Sequence, residues 1–520
     1  MSNPLAPETG DHSRRAIVAE YARKCYKSFQ HCLDSASKVD KASRPGTQMS
    51  LIRVEDQLAR FQLWTANICV FSSGRDSLDY RLREAPDVRT PVIGLLQALD
   101  FRVKTCSSIL GSMLRGPEIT SIEESVGKFV DSLDRLSSEI TLLHRITNTI
   151  RRASKDIHNS RAANGFKIRA VGGQDAGPFL QQVFLHYLTD RFPGANSIIQ
   201  ERLAESMVLR CKRMLYRRER YGNNPIQLPQ IEPAPRISHP VPDVIIPLYN
   251  AERPAKKRKM AVAAQSVVYS TATATTLSPE RFRKAAAPSA VSKTVEISDN
   301  DGDVFPPAPI RTLMQRFKKR KQSIEDRHMK KLSAITGYDD GAELSAKRTR
   351  DGALAKAWND CLDAVGEVTC PYCFQMLPVR EAVDDLKWKH HVMNDLEPYV
   401  CLFEACQTPG HLYTHSSTWI KHMKEHALRW RCTSRRHGEF VTDSRERYLD
   451  HMKNVHSGAI TDAQLEVLAD QNCCMTGPLF KACPLCGEET PSTSLTEHLV
   501  GHMRSLARKS LPSHQWRTYQ

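Results

Sequence analysis

The sequence has no uninterrupted apolar run of about 18 residues, the length that a membrane-spanning helix requires. Residues 1–15 lack the apolar stretch of a secretion signal, so export from the cell is not expected. No G-x-G-x-x-G motif follows a strand-like segment, and no Walker-type phosphate loop occurs. Apolar residues make up only 40% of the 520 residues. We therefore predict a chain of two or three domains, with no membrane partner and no nucleotide-binding fold.

Cysteine and positive charge are the two compositional features that carry information. Nine of the 15 cysteines lie between Cys370 and Cys486, in a segment that is also rich in histidine. In an intracellular chain this clustering indicates metal binding rather than disulfides. The formal net charge of +16 favours acidic partners, with nucleic acid first, although a solubilising surface with nuclear-import signals explains it equally well.

Residues 401–426 have the ligand order and spacing of a ββα zinc finger, with two cysteines ahead of two histidines. The histidines are one helical turn apart, and Tyr413 and Trp419 are predicted to form the small core. Such a short segment cannot fold on apolar burial alone, so we expect the metal to supply folding free energy. The predicted ligands of this second unit are Cys401, Cys406, His422 and His426.

Two further segments supply four ligands each. The fourth unit, 483–502, has a C-x2-C pair and an H-x3-H pair, with Leu495 predicted as its core residue. The third unit, 432–456, offers one cysteine and three histidines, which zinc accepts, with Phe440 and Tyr448 as core aromatics. The predicted ligands are Cys432, His437, His451 and His456 in the third unit, and Cys483, Cys486, His498 and His502 in the fourth.

The first unit, 370–395, has an incomplete ligand set. Cys370 and Cys373 form a knuckle, and His391 follows on a predicted helix. Asp395, one helical turn beyond His391, is the candidate fourth ligand because zinc accepts carboxylates. The histidine before His391, ligands from elsewhere in the chain, and a knuckle without metal are the alternatives. Together the four units predict three to four Zn²⁺ per chain.

Periodicity and composition divide the chain into three regions. Residues 12–222 show helical apolar stripes with little strand-like alternation, and a candidate division separates 12–115 from 119–222. Residues 223–354 are rich in proline, alanine, serine and threonine, which predicts a disordered linker. Residues 355–520 form the zinc-finger region. The predicted fold class is a mainly α N-terminal domain, a long basic linker and an array of irregular ββα fingers.

The N-terminal domain contains two apolar stripes and one basic strip. Apolar residues recur at three- and four-residue steps from Val126 to Ile150 and from Phe179 to Leu188, where we expect buried faces. The segment that ends at Tyr221 carries a series of cations, which suit the C-terminal end of a helix dipole or, alternatively, bind phosphate. These cations are Arg210, Lys212, Arg213, Arg217, Arg218 and Arg220.

Two basic clusters in the linker are typical of nuclear-import signals. The second lies within residues 311–331, a candidate basic helix with nine lysines and arginines against two acids. A solvated linker is the alternative for each cluster, but their position beside zinc fingers favours import. We therefore expect a nuclear protein that binds an import receptor. The clusters are Lys256, Lys257, Arg258 and Lys259, and Lys318, Lys319, Arg320 and Lys321.

Several segments match the pattern of a known family. They are C-P-Y-C at 370–373, W-K-H-H at 388–391, and the longer segments 59–64, 77–89 and 498–507. In these segments the chain resembles the acuF-like C2H2 finger proteins of filamentous fungi. The resemblance implies zinc binding and a nuclear role. The label of that family includes the word oxidoreductase, but no residue pattern in this sequence supports redox chemistry.

The finger helices offer few base-reading residues. In a base-reading finger, helix positions −1, 3 and 6 contact successive bases. This rule predicts His415, Thr418 and Lys421 in the second unit and Arg447 in the third. The fourth unit supplies a poor set of base-reading residues at these positions. The segments between the units are not the short linkers that join fingers in tandem DNA readers. We therefore expect one compact globule that presents a surface, rather than beads along a groove.

Two functions fit these features. The first is a DNA-binding transcriptional regulator in the nucleus, with the basic linker supplying non-specific affinity. The second is a non-enzymatic adaptor that binds proteins through the helical domain and the finger globule. An enzyme with a small-molecule substrate is not predicted, because closed tetrahedral zinc sites leave no open position for one.

Overall fold

A computed structural model describes residues 17–42, 50–115, 119–170, 173–222, 277–286, 305–333, 340–456, 461–475 and 477–512. The predicted fold class is confirmed, since a helical N-terminal region precedes small sheets and helices that carry clusters of cysteine and histidine. Among the described helices, none has both the length and the apolar character that a bilayer crossing demands.

The N-terminal region is helical, with eight α-helices among its described residues. They are α1 (Ile17–Ala42), α2 (Ser50–Asn67), α3 (Leu78–Arg81), α4 (Pro86–Leu114), α5 (Ile119–Ala153), α6 (Lys155–Asn164), α7 (Gly177–Arg191) and α8 (Ser197–Tyr221). Helices α1, α2, α4 and α5 surround one apolar core that includes Phe29, Phe61 and Trp64. Asn196 caps α8, because its side-chain oxygen accepts a 2.8 Å hydrogen bond from the Ile198 N–H.

The apolar stripes predicted on two of these helices are buried only in part. On α5, Phe129 is 3% exposed, whereas Val126 is 48% exposed. On α7, Phe179 and Val183 are 68% and 44% exposed, so the expected burial of the whole stripe is wrong. The reason is that α7 packs against α8 and the finger region only through the edge of the stripe that contains Leu188.

Part of the segment predicted as a disordered linker, 223–354, is helical. Its helices are α9 (Pro279–Ala286), α10 (Arg311–Ser333) and α11 (Asp340–Val365). Helix α11 crosses the boundary expected between linker and fingers, and the basic helix predicted over 311–331 is present as α10. It folds because Leu313 is buried and Phe317 packs edge-on against Trp358 of α11, with 5.0 Å between ring centroids.

The finger region contains three small antiparallel sheets and six helices among its described residues. The strands are β1 (Glu367–Thr369), β2 (Met376–Pro378), β3 (Tyr399–Val400), β4 (Leu412–Tyr413), β5 (Leu428–Cys432), β6 (Phe440–Thr442) and β7 (Cys473–Met475). The helices are α12 (Val379–Ala382), α13 (Asp385–Leu396), α14 (Ser416–His426), α15 (Arg445–Val455), α16 (Asp462–Gln471) and α17 (Leu495–Lys509). Strand β1 pairs with β2, β3 pairs with β4, and β5 pairs with both β6 and β7.

The finger units rest on different cores. The second and fourth units share one apolar core with α7 and α8, which joins Met207 to Trp419 and Met503. The first unit packs with Met214 of α8 and with residues of α10 and α11. The third unit has its own core around Tyr448. Three units are therefore packed into one body with the helical region, whereas the third unit, which the expected globule also included, rests on a separate core.

A row of arginines on α8 holds the segment 396–404, which connects the first unit to the second and includes the start of the second. Arg202 donates hydrogen bonds of 2.6–2.9 Å to three backbone carbonyls within 401–404. Arg210 donates to three carbonyls within 396–398. Both side chains are buried. The phosphate-binding alternative is therefore wrong for Arg210, because backbone carbonyls occupy its donors.

A buried ion pair joins α2 to β1. Arg60 donates through Nε and Nη2 to the two carboxylate oxygens of Glu367, at 2.9 and 2.7 Å, and both side chains are at most 6% exposed. The Thr141 hydroxyl donates to the same carboxylate at 2.9 Å. The pair lies beside Gly366, where φ is 65° and the missing Cβ leaves room for Arg60. The first unit is thus docked on the N-terminal helices.

Candidate metal centres

The second unit places its four predicted ligands together. The two cysteines lie in the β3–β4 hairpin, and the two histidines lie on α14. The Nε2 atoms of the two histidines are 3.2 Å apart, and the second cysteine Sγ is 3.4 Å from the nearer one. All four ligand atoms lie within 4.8 Å of one another, close enough for one tetrahedral ion. They belong to Cys401, Cys406, His422 and His426.

The core of the second unit differs from the prediction in one aromatic residue. Trp419 is 1% exposed, its ring stacks on Tyr399 at 5.1 Å, and its Nε1–H donates to the Val400 carbonyl at 2.8 Å. Tyr413 is only half-buried and stacks instead on the His422 imidazole at 5.2 Å. The sequence signal for Tyr399 is its place in the first hairpin strand, directly opposite Tyr413.

The fourth unit also brings its four predicted ligands within 4.8 Å of one another. The Cys486 Sγ lies 3.1 Å from the His498 Nε2. The knuckle turns at Gly487, whose φ of 78° favours glycine. Leu495, the predicted core residue, is half-buried, and Leu499 is the more deeply buried residue of the helix. The ligands are Cys483, Cys486, His498 and His502.

The third unit gathers one cysteine and three histidines, as predicted. The Nε2 atoms of His437 and His456 are 3.0 Å apart, and the Cys432 Sγ lies 3.6 and 3.5 Å from them. The buried Nε2 of His451 has no hydrogen-bond partner among the described residues, which fits a nitrogen that faces a metal. Phe440 stacks on that imidazole at 4.0 Å and so restricts its orientation.

Elements beyond the predicted third unit complete its fold. Helix α16 adds Leu465 to the core around Tyr448, and β7 adds a third strand to the sheet. Strand β7 contains Cys473 and Cys474, the adjacent cysteines that no ligand set uses. The sequence signal for α16 is the T-x-x-Q capping box at 461–464, which forms in the structure.

The first unit brings three ligand residues together rather than four. Ligand atoms of Cys370, Cys373 and His391 lie within 4.8 Å of one another, and the Cys373 Sγ is 3.3 Å from the His391 Nε2. Asp395, the predicted fourth ligand, lies outside this group. Its Oδ1 accepts a 2.8 Å hydrogen bond from Arg217 of α8. Its Oδ2 is buried and has no hydrogen-bond partner in the described part of the chain.

Burial opposes ionisation of the ligand thiols. It raises the pKa of Cys401 to about 12 and also raises the pKa of Cys483. Burial acts in the same direction on Cys373, but hydrogen bonds with Cys370 and His391 outweigh it and lower the Cys373 pKa to about 6. Zinc binds thiolates, so metal binding displaces these protons and becomes stronger as the pH rises. The cysteine and histidine donors suit zinc, and the four clusters support zinc binding.

The residues predicted to read bases are accessible on two finger helices. Thr418 and Lys421 are exposed on α14, and His415 is half-buried just before that helix. Arg447 is exposed on α15. The fourth unit differs, because the start of α17 is occupied by a capping box and its later residues are buried.

The two basic clusters are placed differently. The cluster at 256–259 lies outside the described residues. Within 318–321, the three lysines are exposed on α10, and the Arg320 guanidinium lies 3.8 Å from the Asp360 carboxylate of α11. The second cluster therefore belongs to a folded helix that packs on the first finger unit.

These features define a protein with a C2H2-type zinc-finger region packed against a helical region. Residues 365–396 match a family described as "Oxidoreductase acuF-like, C2H2 type zinc-finger", which confirms the resemblance at the first unit. A relative from Aspergillus aculeatus, named "Oxidoreductase acuF", is 34% identical over 131 residues. That match covers 25% of this chain and 27% of the relative, so the chain spans about a quarter of that relative's length. No solved structure matches this chain.

Proposed function

We propose that this protein is a zinc-dependent, nucleic-acid-binding regulator that acts in the nucleus and has no enzymatic role. The exposed face of α14 carries the proposal. Thr418 and Lys421 lie there, with His415 preceding them, at the three positions from which a finger helix contacts bases. Lys421 suits guanine or a phosphate, and Thr418 suits a thymine methyl group or a base edge.

Helix α10 is expected to supply affinity that does not depend on DNA sequence. A helix of 23 residues is about 35 Å long, close to one turn of duplex DNA. Seven of its cations are exposed, and phosphate contacts of this kind weaken as salt rises. They are Arg311, Lys318, Lys319, Lys321, Arg327, Lys330 and Lys331.

We propose that this chain does not share the activity that the name of the Aspergillus relative suggests. The match covers only 27% of that relative. In the second, third and fourth units, four protein ligands surround each expected ion, and a closed tetrahedral site has no position for substrate.

Selection from random oligonucleotides with the full, zinc-loaded chain tests the proposal. We expect an enriched sequence, and Lys421→Ala should relax the preference at one base pair by about 1–3 kcal/mol. Lys424→Ala is the matched control, because Lys424 is also exposed on α14 but lies outside the three reading positions. If the full chain enriches no sequence, the regulator proposal fails.

A second candidate function, a protein-binding adaptor, is favoured by the exposed apolar residues of α7. Phe179 is 68% exposed and Val183 is 44% exposed, and clustered exposed apolar side chains often mark interaction sites. A photo-crosslinking residue at position 179 should capture a defined partner from cells. A crosslinker in place of Phe101, which is 62% exposed on α4, is the control. Identical products from both positions would remove this candidate.

A further inference from the structure

The first unit lacks a fourth ligand at the place where the other units have one. Asp395 lies four residues after His391 on α13, which is the spacing of His422 and His426 on α14. Residues four apart share one face of a helix. The Asp395 Cβ therefore occupies the position from which the second and fourth units supply their last histidine.

The Asp395 carboxylate is satisfied on one side only. Its Oδ1 accepts the 2.8 Å bond from Arg217, and each of the two side chains is at most 9% exposed. Its Oδ2 is buried with no hydrogen-bond partner among the described atoms. A buried carboxylate oxygen without a partner costs free energy, and such atoms are rare in folded proteins unless an ion or water meets them.

We propose that Asp395 is the fourth protein ligand of the metal ion in the first unit, and that Arg217 of α8 is its positioning residue. Zinc accepts a carboxylate oxygen beside thiolate sulfur and imidazole nitrogen. A ligating carboxylate is normally hydrogen-bonded through its other oxygen, which is the part that Arg217 plays. Because an aspartate side chain is shorter than a histidine, metal binding must draw the carboxylate towards Cys373 and His391.

The charge around the first unit favours the same assignment. Two thiolates and one carboxylate around Zn²⁺ leave one net negative charge, whereas two thiolates and two histidines leave none. Arg217 is a buried cation whose charge acts on both Asp395 and Cys373. It therefore offsets the extra negative charge that a carboxylate ligand brings.

This assignment makes the helical region part of a metal centre, because Arg217 belongs to α8. Loading of the first unit and docking of α8 on the finger region would then stabilise each other. The inference goes beyond the proposed function, and its test uses no nucleic acid, so either one can fail alone.

Native mass spectrometry of the full chain counts the bound ions. We expect four zinc ions in the wild type, and Asp395→Asn should hold three, or release one at least about tenfold faster to a chelator. Asp385→Asn is the matched control, since Asp385 is 73% exposed on the same helix and pairs with Lys389. It should keep four ions and the wild-type release rate.

Two further variants separate a ligand from a purely structural carboxylate. Arg217→Gln should weaken retention of one ion about 10- to 100-fold without affecting the other three, and Arg217→Lys should recover part of the loss. The double variant Asp395→His with Arg217→Gln should restore four firmly held ions, because it repeats the ligand spacing of the second and fourth units.

A wild-type count and release rate in Asp395→Asn would overturn the proposal. If that variant misfolds and loses all its ions, the double variant decides, and its failure to recover the fourth ion overturns the proposal as well.

Discussion

Replacing Arg60 with leucine should open the contact between the N-terminal helices and the first finger unit. The Arg60 guanidinium donates two hydrogen bonds to Glu367, at 2.9 and 2.7 Å, and further bonds to polar side chains of α2 and α5. After the change, the Glu367 carboxylate retains the 2.9 Å bond from Thr141. His144 offers little compensation, because burial lowers its pKa to about 4 and keeps it neutral.

Removal of one partner from a buried ion pair costs about 3–5 kcal/mol, because the remaining charge is left without compensation. The lower end of this range applies when Arg60 is removed and the Glu367 carboxylate remains. Burial opposes its ionisation, but the hydrogen bonds and charge of Arg60, with the hydrogen bond from Thr141, hold its pKa below the ordinary value. Without Arg60 the carboxyl can take up a proton, which limits the cost. We therefore expect a local loss of about 3 kcal/mol.

Hydrogen–deuterium exchange suits this measurement, because a chain with several domains and metal sites does not unfold in one two-state step. A local loss of about 3 kcal/mol corresponds to roughly a hundredfold faster exchange. The best reporter is the Met376 N–H in β2, which donates to the Asn148 side chain at 2.9 Å across the same contact. Amides of α16, which belongs to the separate core of the third unit, should exchange as in the wild type.

The matched control is Arg380→Leu. Arg380 pairs with Asp363 at 2.8 Å, but the two side chains are 56% and 69% exposed, so the cost should stay below about 1 kcal/mol. The double variant Arg60→Leu with Glu367→Leu should recover most of the protection, because both buried charges are removed. The reasoning is refuted if Met376 exchanges no faster in Arg60→Leu than in Arg380→Leu.

Two other changes act on the same contact. Gly366→Ala should resemble Arg60→Leu, because the added Cβ would lie 2.2 Å from the Arg60 Nε and the residue holds a φ of 65°; wild-type exchange at Met376 would contradict this. Burial lowers the pKa of His144 to about 4 from the usual 6.5, so protonation of this imidazole destabilises the folded state. Up to about 3 kcal/mol of stability is therefore present above pH 6.5 and is lost as the pH falls from 6.5 through 4. His144→Phe should therefore flatten the pH dependence of β1–β2 opening over that range, after correction for intrinsic exchange, and an unchanged profile would argue against this role.

The ligands of three finger units follow from the sequence because their geometry is local. A zinc ion fixes both the type of its ligands and the number of residues between them, so a pattern such as Cys483-x2-Cys486 with His498-x3-His502 already contains the site. The cap of α8 is equally local, since the Asn196 side chain bonds an amide only two residues on.

The contacts between distant segments do not follow from the sequence. Arg210 has a charge that the sequence shows, but its partners are carbonyls 186–188 residues away, and any residue type supplies a carbonyl. Phe179 shows a second limit, because an apolar stripe reveals a face without telling whether another element covers it. Helix α10 shows a third limit. The composition averaged over 223–354 is rich in proline, and this average does not reveal that Leu313 and Ile324 are buried.

The arginine contacts of α8 also restrict the DNA recognition that we propose for the fingers. A tandem reader follows the groove because each finger can turn relative to the next. Here Arg202 and Arg210 bind six backbone carbonyls within 396–404, and any rotation between the first two units would leave two buried guanidinium groups without acceptors. The third unit alone has a separate core. Recognition through Thr418 and Lys421 on α14, extended at most by Arg447 on α15, would therefore cover about three base pairs for each helix. A selected site much longer than six base pairs would require contacts that this arrangement does not offer.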